Sequence, residues 1–138
     1  MTKTRPVFIW LLVIAVLHSV TGCSKSGRDR YGLSGTVTYA GKPIPIGDMI
    51  FKPDSSRGNS GPGSSADVSN GHYQVPSQYG VVGGPYVVTI SGFDRKPVTI
   101  GEELRPSGSP LFQEYQVSIE LPKAEVVKDF EIAALEKN

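Results

Sequence analysis

The chain has 138 residues, of which 20% are charged, and its 14 Lys and Arg nearly balance its 13 Asp and Glu. That length suits one domain, and the near balance argues against a nucleic-acid-binding protein, which usually carries a basic patch. With 1 Cys and 2 His, an intrachain disulfide is excluded, and most His/Cys metal sites and Cys–His nucleophile pairs are disfavoured. The composition therefore predicts a protein that is not an enzyme and needs no cofactor or metal.

An apolar segment near the N-terminus predicts export. Residues 7–17 form the unbroken apolar run VFIWLLVIAVL, which is preceded by Lys3 and Arg5. A transmembrane helix needs about 20 apolar residues, so this run is too short to span a bilayer and is typical of a secretory signal peptide. Removing residues 1–22 would leave one of the two histidines and 12 basic residues against 13 acidic ones.

The segment Val20-Thr21-Gly22-Cys23 resembles the lipobox of bacterial lipoproteins, in which an aliphatic residue and two small residues precede a cysteine. The resemblance implies that Cys23 receives a diacylglycerol and that signal peptidase II cuts between Gly22 and Cys23. Because two or more acyl chains anchor a protein stably, the mature chain would be held at a membrane without crossing it. Ser24 after the cysteine resembles the outer-membrane sorting pattern. An ordinary signal peptide with an incidental cysteine is the alternative.

Behind a flexible tether at residues 23–31, alternation of apolar and polar residues predicts β-strands. Turn residues separate these segments, and Asn70-Gly71 is a dipeptide favoured in tight hairpin turns. Several short strands within about 100 residues are typical of a β-sandwich. We predict one such domain at residues 32–133, followed by a tail at 134–138. Seven strands are predicted, at residues 33–39, 45–52, 64–69, 72–75, 85–92, 115–121 and 125–133.

The same alternation predicts which side chains face the core. Thr89 is predicted to face away from the core, and His72 is predicted to face solvent. In the last strand the register stays open, since either Val127 or Phe130 can point inward. The residues predicted to face inward on the other strands include Met49, Phe51, Tyr73, Val75, Tyr86, Val88, Ile90, Val117, Ile119 and Leu121.

Three segments resemble the carboxypeptidase regulatory-like domain. Residues 33–44, LSGTVTYAGKPI, look like its opening GxVxxxGKPV pattern; residues 69–73, SNGHY, are similar to its DGxY hairpin; residues 84–90, GPYVVTI, look like its PGxYxVxV strand. The layout also resembles short lipoproteins of planctomycetes, which end in a similar PLFxxY, LP and DFE series. The resemblance implies a seven-stranded antiparallel β-sandwich, prealbumin-like or immunoglobulin-like, and it brings no catalytic residue.

Two loops interrupt the predicted strands. Residues 54–65 are rich in Ser and Gly and are expected to be mobile. Residues 93–114 form a longer excursion, and loops beyond roughly 12–15 residues are usually functional or disordered. Its aromatic and basic side chains suit an anionic or glycan partner, whereas the plainer interpretation is a proline-stiffened connection between sheets. The candidate contact residues are Phe93, Arg95, Lys96, Arg105 and Phe112.

Carboxylates near the predicted strand ends lack the D-x-[DN]-x-[DN]-G spacing of a calcium loop. We therefore expect them to be solvated charges rather than metal ligands. They are Asp48, Asp54, Asp67 and Asp94.

Together these observations predict a monomeric, lipid-anchored protein of the bacterial cell envelope, acting as a structural or binding module. The alternative is a glycan- or protein-binding module with its ligand at residues 93–114, and an accessory domain of a hydrolase is less favoured. The outer membrane, on its periplasmic or surface side, is preferred to the inner one. An envelope protein or a glycan is the expected partner, and nucleic acid is not.

Overall fold

The computed structural model describes residues 29–134. The predicted signal peptide, the lipidation site at Cys23 and the cleavage site after Gly22 lie outside this range, as does most of the predicted tail. Within it, the only helical segments are two three-residue 3-10 turns, Ser55–Arg57 and Ser77–Tyr79. No helix in the described part of the chain has the length and apolar character needed to cross a membrane.

The described chain is all-β, as predicted. Its strands, in chain order, are β1 (Leu33–Tyr39), β2 (Lys42–Pro43), β3 (Ile46–Pro53), β4 (Ser64–Ser69), β5 (His72–Val75), β6 (Gly84–Phe93), β7 (Val98–Ile100), β8 (Glu103–Arg105), β9 (Tyr115–Leu121), β10 (Val126–Val127) and β11 (Phe130–Ile132).

One sheet contains most of these strands, in the order β10-β1-β5-β4-β3-β6-β9, and it curls into a half-barrel. From β1 to β9 every neighbouring pair is antiparallel. The short strands β10 and β11 instead pair with β1 in parallel. Strands β7 and β8 form a separate hairpin. The antiparallel prediction is therefore confirmed for the strands from β1 through β5, β4, β3 and β6 to β9, and it is wrong for β10 and β11.

The last predicted strand is divided in two where it passes β1. A Cβ atom at Gly35 would overlap the Lys128 carbonyl, so the chain approaches β1 closely only because a glycine stands there. Beside it, Asp129 accepts hydrogen bonds from the Thr36 N–H (2.7 Å) and the Thr36 hydroxyl (2.8 Å). This break decides the register that the sequence left open: Val127 is 72% exposed, whereas Phe130 is buried.

The core fills the inner face of the curled sheet. On β6 the side chains of Tyr86, Val88 and Ile90 are fully buried, as the alternation predicts. Rings from different strands meet there, with centroids 6.0 Å apart for Phe51 and Tyr73. The buried apolar residues of this cluster are Leu33, Val37, Ile44, Met49, Phe51, Ala66, Val68, Tyr73, Val75, Val81, Tyr86, Val88, Ile90, Leu121, Phe130 and Ile132.

The Ser/Gly-rich segment at residues 54–65 is fastened to the domain rather than extended from it. Asn59 is buried, and its amide donates to the carbonyl oxygens of Gly83 (3.3 Å) and Pro85 (2.9 Å). Its side-chain oxygen accepts from the Gly61 N–H at 3.0 Å. A buried amide whose hydrogen bonds are all satisfied holds this loop against the start of β6.

Candidate functional site

The domain has two distinct ends. At one end Tyr31, just before β1, pairs with Val81 through backbone hydrogen bonds of 2.8 and 3.1 Å. Three residues beyond Val81, β6 begins at Gly84 and runs for 10 residues to Phe93. At about 3.3 Å per residue, that strand covers about 30 Å. The predicted tether therefore joins one end of the sheet, and the excursion at residues 93–114 leaves the other.

The excursion is structured, in contrast to the loop that the sequence suggested. It contains the β7–β8 hairpin, and its two sides are joined at the base. The Asp94 carboxylate accepts hydrogen bonds from the backbone N–H groups of Lys96 and Ser109, both at 3.0 Å. These bonds, with that from Lys96 foremost, hold the pKa of Asp94 below its ordinary value. Asp94 thus acts as a structural acceptor at the base of the excursion while its carboxylate stays exposed, as expected.

Arg95 connects the excursion to the neighbouring hairpin turn. Its guanidinium donates to the Asn70 side-chain oxygen (3.0 Å) and the Ser69 hydroxyl (3.3 Å), and also to the Pro45 carbonyl. These contacts use much of the donor capacity of the side chain. Arg95 stays a ligand-binding candidate from the sequence, and in the structure its exposed side chain also braces the excursion against the rest of the domain.

Phe112 is also engaged within the domain. Its ring lies 5.0 Å from that of Tyr39 at the far end of β1, in a tilted arrangement. Phe93 remains half-buried and pairs with Ile46 on β3, and with Phe112 it lines one shallow depression. Both candidate aromatic residues therefore line the same depression, but both are half-buried and only Phe112 packs against the core, so they form no open stacking platform.

The exposed surface of the excursion is aliphatic and charged. Lys96 and Arg105 are exposed, and Arg105 lies 3.8 Å from Glu103 in a surface ion pair of the kind that contributes little stability. Ile100 and Leu104, which the sequence analysis did not select, are 54% and 61% exposed. In the sequence, the apolar residues on both sides of Gly101 could have indicated this hairpin.

The other polar residues considered as candidates form no joint site. His72 is exposed on the outer face, as predicted. The Asp54 carboxylate accepts from the Ser56 hydroxyl at 2.6 Å, and that bond is the main reason why the pKa of Asp54 lies below its ordinary value. Within residues 29–134, no group of three or more His, Cys, Asp or Glu side chains is placed to hold a metal ion.

No protein family, curated protein or solved structure matches this chain. The resemblance to carboxypeptidase regulatory-like domains therefore depends on the motifs of the chain itself. Two of those motifs meet in the structure: the Gly71 N–H donates to the Ile44 carbonyl (2.7 Å), and the Val37 N–H donates to the Gly71 carbonyl (2.8 Å). The GKP turn and the Asn-Gly hairpin form one interlocked corner of the sheet.

Proposed function

We propose that this protein is a lipid-anchored protein of the bacterial cell envelope, not an enzyme, which presents residues 93–114 to a partner. The opposite positions of the tether and the excursion carry this proposal. From Cys23 to Tyr31 the chain reaches at most about 26–29 Å. An anchor at Cys23 thus keeps the domain close to the membrane, while β6 holds the excursion about 30 Å beyond the tethered end.

The proposed architecture is a prealbumin-like β-sandwich derived from the curled sheet. One layer would contain β1 and β5, and the other would contain β3, β6 and β9, with β4 at the bend. The shared core supports this arrangement, because residues from both ends of the sheet belong to the same buried cluster. The interlocked corner at Gly71 supports the resemblance to carboxypeptidase regulatory-like domains.

The bracing of the excursion supports a binding role over a passive connection. Asp94 and Arg95 fix its base, so the hairpin would lose little conformational freedom on binding a partner. Its exposed large apolar side chains are Ile100 and Leu104, one on each face of the hairpin, with charged residues around them. Exposed aliphatic side chains suit a protein surface better than a sugar ring, which prefers an open aromatic face. We therefore place an envelope protein ahead of a glycan as partner.

Replacing Cys23 by Ala tests the anchor. Without the thiol no thioether to diacylglycerol can form, so the variant should stay uncut by signal peptidase II. Phase partitioning of cell extracts with a detergent, followed by immunoblotting, measures both size and lipidation. Replacement of Ser24 by Ala is the matched control and should leave processing unchanged. A Cys23→Ala chain that still enters the detergent phase at mature size would show that the lipid anchor is wrong.

A double substitution tests the excursion. Ile100→Ser with Leu104→Ser removes both exposed aliphatic side chains and should abolish capture of the partner from detergent-solubilised envelope. Ile50→Ser is the control, because Ile50 is also 54% exposed but lies on β3. Capture of the same protein by all three chains would contradict binding through the excursion. Loss of binding to sedimented cell-wall glycan in the double variant alone would establish the glycan alternative.

A further inference from the structure

Strand β9 leaves one edge of the sheet open. Within the described chain its strand partner is β6, and no strand pairs with its other side. The strand runs Tyr115–Leu121, YQVSIEL, and contains neither proline nor lysine. Proteins commonly blunt an exposed edge with Lys, Pro, a bulge or a short strand, because its unpaired backbone groups attract another strand. Here an edge of 7 residues lacks those features, and its one charged side chain is Glu120.

The backbone groups that β9 directs outward can be identified from β6. The Pro85 carbonyl accepts a hydrogen bond from the Asp54 N–H (3.0 Å), so Pro85 faces away from β9. Glu120 is the residue opposite Pro85. In an antiparallel sheet such a pair is not hydrogen-bonded, and the backbone groups of Glu120 therefore point to the open edge. Because backbone groups alternate in direction along a strand, the N–H and C=O groups of Ser118 and Gln116 also point to the open edge.

The inner face of β9 is incompletely covered. Tyr115, Val117 and Ile119 lie opposite fully buried residues of β6, yet each remains only half-buried. They pack against the core and remain partly exposed to solvent. A further strand at that edge would both satisfy the free backbone groups and cover this apolar row.

We propose that β9 pairs antiparallel with β9 of a second copy of this chain, about a two-fold axis at Ser118. In that register the pattern YQVSIEL is self-complementary. Ser118 meets Ser118 of the second copy, Val117 meets Ile119, and Gln116 meets Glu120. The pairs at Ser118 and at Gln116 are the hydrogen-bonded ones, which agrees with the groups directed outward. An axis at Glu120 would instead oppose two carboxylates, and like charges directly opposite are destabilising.

The side chains can make this pairing without giving up their present contacts. The Gln116 amide donates to Glu114 at 3.1 Å and retains a second N–H. The Glu120 carboxylate accepts from Arg57 at 3.2 Å through Oε2 and retains its other oxygen. Each dimer would therefore gain two side-chain hydrogen bonds across the new strand pair. This pairing replaces the expectation of a monomer and is independent of the function proposed above.

Cysteine cross-linking tests the register in the full chain with Cys23 replaced by Ser. Residues in a hydrogen-bonded antiparallel pair have Cα atoms about 5.5 Å apart, within the roughly 4.4–6.8 Å range of disulfides. Ser118→Cys should therefore form a disulfide dimer on mild oxidation. Gln116→Cys is the control, because its two copies would lie about 13 Å apart, four steps along the strand. It should cross-link only when mixed with the Glu120→Cys chain.

A matched pair of lysine substitutions tests the same axis by charge. Val117→Cys and Ile119→Cys chains, when mixed, report the dimer through their own disulfide. Adding Ser118→Lys to both opposes two ammonium groups and should reduce the cross-link at least tenfold. Adding Gln116→Lys places each lysine opposite Glu120 and should preserve it. Far-UV circular dichroism checks that all chains fold alike.

Three outcomes would overturn the proposal. Equal cross-linking of Ser118→Cys and Gln116→Cys alone would indicate random collision, and equal effects of the two lysines would indicate a general intolerance of charge. Cross-linking of Ser118→Cys only to a different envelope protein would show that the edge receives another partner.

Discussion

Gly41 and Gly71 both adopt left-handed backbone conformations in tight turns, with φ of 74° and 77°. They differ in their surroundings: a Cβ atom at Gly41 meets nothing within 4 Å, whereas one at Gly71 would lie 2.6 Å from the Pro43 Cβ. Gly41→Ala should therefore cost only the left-handed strain, about 1–2 kcal/mol. Gly71→Ala should cost that amount and about 1–3 kcal/mol more for overpacking.

Urea denaturation of both variants measures the difference between these turns. Equal losses of unfolding free energy would show that the corner between Gly71 and Pro43 yields freely, contrary to the packing described. Asn70 and Gly71 in sequence predicted the hairpin turn, and positive φ at both confirms it. Its contact with the GKP turn, however, joins segments that are far apart in the chain.

The Asp129 carboxyl makes the stability of the folded domain depend on pH in the acid range. Its hydrogen bonds from Thr36, the side-chain one foremost, hold the pKa of this carboxyl below its ordinary value of about 3.9. The folded state thus releases the proton more readily than the unfolded state. The resulting stabilisation is complete above the unfolded pKa and is lost as pH falls through the folded one.

Asp129→Asn should flatten the acid side of the stability curve, because the amide still accepts from Thr36 but no longer titrates. Melting temperatures between pH 6 and pH 2 measure this effect. Asp67→Asn is a control with the same charge change on β4. If both variants lose stability in parallel with the wild-type chain, Asp129 has no special part in acid unfolding.

Among the elements, β6 gives the clearest test of register. Ile90 is fully buried on its inner face, whereas Thr89 lies on the outer face between Ile50 and Gln116. Ile90→Ala should cost about 2–5 kcal/mol. Thr89→Ala should cost less than about 1 kcal/mol, close to a surface change. Thermal unfolding of both variants measures the contrast, and a larger loss for Thr89→Ala would mean that the strand is reversed by one residue.

The excursion tests the bracing role of Arg95. Arg95→Ala removes three hydrogen bonds, which reach the turn before β5, the end of β4 and the residue before β3. It should speed amide hydrogen exchange at residues 94–109 severalfold. Lys96→Ala changes the adjacent exposed cation and should leave exchange unchanged. Equal amide exchange rates in the two variants would show that Arg95 does not brace the excursion.

The β7–β8 hairpin was not predicted from the sequence, because its strands are short and its contacts are not local. Each strand has 3 residues, too few for alternation to distinguish a strand from a turn. The prolines at 97, 106 and 110 also favoured an irregular connection. The hairpin is defined by contacts at its base, where Asp94 bonds Ser109 across 15 positions of sequence. Such contacts carry no local signature.

At the scale of the whole molecule, strand direction gives the domain its polarity. β1 starts beside the tether and ends at Tyr39, which packs on Phe112 in the excursion. β6 likewise runs from the Tyr31–Val81 pair to Phe93. The proposed anchor and the proposed binding surface are separated for this reason, and the open edge at β9 lies along the side between them.

The sequence by itself determined the strand class, most strand bounds and the inward residues, because alternation with period two is a local property of an extended chain with one buried face. β1, β4, β5 and β9 have the predicted bounds. The signal peptide and the lipidation of Cys23 stay predictions from a local pattern. Only the tertiary structure decided that β10 and β11 pair in parallel with β1, that Arg95 and Phe112 serve the domain internally, and that β9 keeps an open edge. Those features depend on which distant segments meet, and that outcome follows from closing the whole sheet around one core.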